Sequence, residues 1–163
     1  MTMIQSTQRG YLMFEVLISV LVVSIGFIGF AGMQMGGLAA ANDSLYRSKA
    51  VYLTYQMADR VRANSPGAAA GNYNSLTGLG SDPGCVATNC TASQMAATDF
   101  AEWAAEVAAV LPSGVGAICV DSTPDDGTST SPACDGVAGA PLAVKVWWME
   151  SGTEHSFATA FRP

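Results

Sequence analysis

From Val16 to Ala41 the chain runs for 26 residues without a charged side chain, and from Val16 to Met33 for 18 residues without a strongly polar amide. At ~1.5 Å rise per residue, a helix over the shorter stretch extends about 27 Å, close to the ~30 Å hydrocarbon core of a bilayer. Beyond Ala41 the pattern turns from uniform to periodic. In NDSLYRSKAVYLTYQMADRVRAN, apolar Tyr46, Ala50, Leu53, Met57 and Val61 recur at spacings of 4, 3, 4 and 4, one stripe of a helix, with Arg47, Lys49, Asp59 and Arg60 largely off it. Pro66-Gly67 closes the pattern. Glu15 to Asn64 therefore reads as one helix of about 50 residues, far longer than the ~10–14 usual in globular proteins. Such a helix needs a membrane, a partner bundle or both, and the stripe in its second half is the seat of a small head.

The remaining pattern is that of the head. Ser65 to about Asp82, rich in Gly, Ala, Ser and Asn, reads as a loop. Ser93 to Leu111 predicts a second helix: Thr91 or Ser93 can cap it, Phe100, Trp103, Val107 and Val110 make its stripe, and Pro112-Ser113-Gly114 stops it. Its acids Asp99, Glu102 and Glu106 read as a solvated face. Three strands follow, in GVGAICVD (Gly114 to Asp121), LAVKVWWM and HSFATAFR. In the second, Leu142, Val144, Val146 and Trp148 alternate with Ala143, Lys145, Trp147 and Met149. Ser151-Gly152-Thr153 reads as a hairpin turn. The expected fold class is α+β, with three antiparallel strands packed by one face on the long helix and the other face free to be wet.

Composition and charge narrow the function classes. Half of the 163 residues are apolar and only 12% are charged. From Ser65 onward there are ten acids and two bases, whereas Asn42 to Asn64 holds four bases and two acids. An acidic head repels phosphate, so no nucleic acid partner is expected. The basic half-helix is expected to favour packing among subunits. No nucleophile with a base and no Gly-rich phosphate loop is evident, which argues against an enzyme and against a cofactor.

All four cysteines, Cys85, Cys90, Cys119 and Cys134, fall in the head. In an oxidising compartment an even count reads as disulfides, with three connectivities that sequence leaves open. Proximity favours Cys85 with Cys90 and Cys119 with Cys134. The latter pair would staple Ser122 to Ala133, whose STPDDGTSTSPA composition cannot build a core. Zinc is disfavoured because neither cysteine spacing forms a knuckle and His155 has no partner at ligand spacing. Asp121, Asp125, Asp126 and Asp135 do not follow a calcium-loop pattern and read as an acidic surface loop, so no metal is expected.

The N-terminus carries the most specific motif. Glu15 stands at the head of the apolar run, although a charged group at membrane depth costs roughly 2.5–3.5 kcal/mol on insertion scales. A secretory signal peptide with a cut near Ala39-Ala40-Ala41 explains Arg9 and the alanines, but it leaves Glu15 without a purpose. The apolar stretch also exceeds the ~7–15 residues of such a segment. Gly10-Tyr11-Leu12-Met13-Phe14-Glu15 instead resembles the signal of type IV pilins and pseudopilins. That resemblance implies cleavage after Gly10 by prepilin peptidase, an N-methylated Tyr11 and a retained hydrophobic helix. Glu15 would then neutralise the N-terminal amine of a neighbour during assembly. The sequence departs from the family's usual Phe-Thr-Leu start with Tyr11-Leu12-Met13.

RSKAVYLTYQMADRVRANSPGAAAGNY, ICVDSTPDDGTSTSPACDG and VKVWW together resemble the minor-pilin family called type IV pilus modification protein PilV. The resemblance implies a type IV pilin-like fold divided into a prepilin leader (1–10), a transmembrane and assembly helix (11–41), an amphipathic continuation (42–64) and a periplasmic head (65–163). It further implies a subunit stored in the bacterial inner membrane that helps initiate pilus assembly, in a complex at the filament tip. The implied partners are other minor and major pilins, prepilin peptidase, the inner-membrane assembly machinery and membrane lipid. Two other readings remain: a type II secretion minor pseudopilin, and a signal-processed periplasmic binding module whose mature chain would begin at Asn42.

Overall fold

The computed structural model describes residues 9–85 and 89–163. The element order is α1 (Arg9–Ala63), α2 (Ser65–Ala69), β1 (Leu76–Thr77), α3 (Ala92–Val110), β2 (Val115–Val120), β3 (Leu142–Glu150) and β4 (Thr153–Phe161). The chain divides into two compact units, Met1–Asn42 and Asp43–Pro163. In the first, every described residue belongs to α1, and the large apolar side chains from Tyr11 to Leu38 are exposed. Ser19 and Ser24 return their hydroxyl hydrogens to the carbonyls of Glu15 and Val20 at 2.7 and 2.6 Å, so these polar groups are satisfied within the helix.

The second unit is an α+β head. Ala50, Leu53, Met57 and Val61 are fully buried and Tyr46 packs beside them, so the helical stripe is the seat of the core. It meets Phe100, Trp103 and Val107 of α3 and the inward side chains of the sheet. Thr91 caps α3 reciprocally with Gln94: the Thr91 hydroxyl oxygen accepts from the Gln94 amide, and Gln94 Oε1 accepts from the Thr91 amide. Asn64 caps α2, its Oδ1 accepting from Gly67 N, in a stretch expected to be loop throughout.

The sheet has four strands in the order β1-β2-β3-β4, all antiparallel neighbours. The extra strand, β1, is only two residues long, too short to leave a periodic signature. Glu150 pairs with Thr153 around Ser151 and Gly152, both with positive φ, as a two-residue hairpin loop requires. The disulfides are Cys85–Cys90 and Cys119–Cys134, the pairs that proximity favours.

The outer face of β3, which the sequence left free to be wet, is covered: Ala143, Lys145 and Trp147 are all buried. The segment from Asp121 to Ala140, tethered by Cys119–Cys134, supplies the partners that let a lysine sit inside.

Candidate functional site

The assembly residues expected from sequence lie on the first turns of α1. Gly10 is part of that helix, and the leader residues before Arg9 fall outside the described residues. Tyr11 is 80% exposed. Tyr11, Phe14, Glu15, Ile18 and Ser19 line one shallow cleft, a spacing that places them on a single helical face. Among the described residues the Glu15 carboxylate has no hydrogen-bond or ion-pair partner, and no other charged side chain lines its cleft. Gly26, Gly29, Gly32, Gly36 and Gly37 have open space where a Cβ would stand.

In the head, Lys145 organises the tethered loop. It is 1% exposed and ion-paired with Asp121, which is itself 0% exposed. Its ammonium also donates to Asp126 Oδ1 at 2.9 Å, to the Asp126 carbonyl at 3.2 Å and to the Pro132 carbonyl at 2.8 Å. Burial pushes the Lys145 ammonium down, but Asp121 and Asp126 more than offset this and hold it above the ordinary lysine value. The Lys145 ammonium, with help from the Thr123 hydroxyl, holds the Asp126 carboxyl below its ordinary value. Asp135 is likewise lowered, by hydrogen bonds from Ser122 and Val137. These acids are therefore committed to the loop's own structure, and no cluster of metal-ligand side chains occurs among the described residues. His155 stacks on Trp148 with ring centroids 5.8 Å apart.

Of the α3 acids expected to form a solvated face, Glu102 is exposed, whereas Asp99 and Glu106 are half-buried. Glu102 takes a hydrogen bond from Arg60 at 2.7 Å, and Glu106 takes one from Gln56 at 3.0 Å. Asp99 accepts from the Tyr73 hydroxyl, with Arg60 at 3.8 Å. Burial pushes the Asp99 carboxyl up, partly opposed by Tyr73 and Arg60. Burial, reinforced by Asp99, also pushes the Tyr73 phenol well above its usual value. Asn64 completes this clasp, donating to the Tyr73 oxygen at 3.0 Å and to the Ala92 carbonyl at 2.8 Å. Part of the basic charge of the half-helix is thus spent inside the subunit. Periodicity alone could not reveal these contacts, because each pairs residues far apart in the chain.

Residues 32–101 match the model of the Tt1218-like family, described as Type IV pilin Tt1218. The matched part comprises the second half of α1, α2, β1 and the first half of α3, a little under half of the chain. Comparisons with curated proteins and with solved structures returned no match. The chain has a type IV pilin-like fold, and its similarity to the Tt1218-like family over residues 32–101 supports a pilin role, which fits an N-terminal apolar helix suited to membrane anchoring.

Proposed function

We propose that the chain is a minor pilin of the PilV kind, a subunit that takes part in initiating and assembling a type IV pilus. In this reading prepilin peptidase cuts after Gly10, and the mature chain starts at an N-methylated Tyr11. Residues 11–41 anchor the protein in the inner membrane and pack in the filament; 42–64 continue the helix, and 65–163 form the periplasmic head. Its place is the tip complex, among other minor and major pilins.

One observation carries the reading: the lone carboxylate of Glu15 sits one turn from Tyr11 on a stretch of α1 whose large apolar side chains, from Tyr11 to Leu38, are all exposed. When such helices pack together, burying Glu15 without a partner is heavily penalised, and the amine of a neighbouring chain relieves the penalty. The pair selects one axial register, as a buried polar residue does in a coiled coil. Intact-mass and N-terminal sequencing of membrane-purified protein tests the processing. A start at methylated Tyr11 is expected; a start at Asn42 overturns both processing and role. Glu15→Ala should leave cleavage intact yet reduce incorporation into pili, and normal incorporation would remove Glu15 from the mechanism.

A further inference from the structure

β4 is the terminal strand of the sheet. It pairs with β3 through nine consecutive positions, Thr153 to Phe161, without a bulge. Among the described residues no backbone group of β4 bonds to anything on the side away from β3. Natural edges of this length are usually guarded by charged side chains, especially Lys, by Pro or by bulges, which prevent another strand from pairing there. The strand TEHSFATAF has no Lys, Pro or bulge, and its one acid, Glu154, lies near its start, away from Ser156–Ala158, and accepts from Ser129 of the tethered loop. Its middle carries the small residues Ser156 and Ala158 on one face.

A cleft of about 200 Å³ lies at that middle, lined by Ser156, Phe157 and Ala158 together with Trp147 of β3. Phe157 belongs to the α1-facing side of the sheet, whereas Ser156, Ala158 and Trp147 belong to the other, so the cleft straddles the edge. Arg47 of α1 and Asp125 of the tethered loop also line it. Neither of these charged side chains has an ion-pair or hydrogen-bond partner among the described residues.

We propose that the β4 edge is a docking site for an extended segment of a different polypeptide chain, which adds a fifth strand at Ser156–Ala158. Successive side chains of a strand point to opposite faces. The segment that fits best therefore carries an acid facing Arg47 and, next to it, a base facing Asp125. Main-chain pairing supplies the affinity and the two charges supply register and choice of partner. This site is separate from the Tyr11–Glu15 end of the chain and does not depend on processing after Gly10.

The test uses the full chain in detergent and a capped eight-residue peptide of threonine and valine with glutamate and lysine adjacent at its centre. Hydrogen exchange should show at least tenfold slowing at alternate amides of Thr153–Phe161 on peptide addition. Arg47→Glu, with near-UV circular dichroism unchanged, should weaken binding at least tenfold. A peptide with lysine in place of its glutamate should restore binding to that variant. The proposal is overturned if β4 amides do not respond to peptide, if Arg47→Glu binds the original peptide equally well, or if β4 is protected by protein concentration alone, which would make a second copy the occupant.

Discussion

Trp103 stands in the space that a side chain on Gly116 would need: a methyl group there would collide with Cζ3 and Cη2 of the indole ring. The same indole donates its Nε1 hydrogen to the Leu53 carbonyl at 2.8 Å. One ring of α3 thus locks the sheet on one side and the long helix on the other. Gly116→Ala should destabilise the head by about 1–3 kcal/mol, the usual cost of overpacking a filled core. Thermal unfolding followed by near-UV circular dichroism checks it, and an unchanged midpoint would show that the ring has room to move.

Lys145→Met leaves Asp121 buried without its cation, so a loss of ~3–5 kcal/mol is expected, as when one partner of a buried pair is removed. Replacing Lys145 and Asp121 together by apolar residues should cost less than Lys145→Met alone. Chemical denaturation of the three proteins measures the difference.

The tethered loop should loosen at both ends of the pH scale. Asp126 has a folded value below its ordinary 3.8, so its contribution is present above about that pH and lost as pH falls through the lowered value. Lys145 has a folded value above its ordinary 10.5, so its contribution is full below that pH and lost as pH rises through the raised value. Amide exchange in residues 122–135, corrected for intrinsic rates, should be slowest between these limits.

Asp99 should behave in the opposite sense to Asp126. Its folded value is raised by burial, so the fold gains stability as pH falls through that value, and the charged form is a cost at neutral pH. Asp99→Asn keeps an oxygen to accept from Tyr73 and removes the buried charge, so stability at neutral pH should change by less than about 1 kcal/mol. Tyr73→Phe strips the donor from Asp99 and the acceptor from Asn64, and should cost about 1–3 kcal/mol. Urea unfolding at pH 7 compares the two.

Cys119–Cys134 links residues 15 apart in sequence, for which the chain-entropy account gives about 3 kcal/mol. Replacing both cysteines by serine should lower the melting temperature markedly more than replacing Cys85 and Cys90, whose separation is 5. Equal losses would mean that the loop is held by Lys145 rather than by its covalent staple.

The sequence by itself determined what depends on near neighbours: the stripe from Ala50 to Val61, the alternation of β3, a capped start of α3 and the Ser151-Gly152 hairpin. These are periodicities and turn preferences, written within a few residues of where they act. The carboxylate at Glu15 was legible for a similar reason, since a single acid stands out against an uncharged run. Only the tertiary structure decided that Lys145 lies inside, that Arg60, Tyr73 and Asp99 form one clasp, and that Gly116 makes room for Trp103. Whether a charge on a strand is wet or buried depends on what the chain lays over it. Here that cover is a polar loop with no pattern of its own, joined to the sheet by the disulfide from Cys119 of β2 and the ion pair with Lys145 of β3.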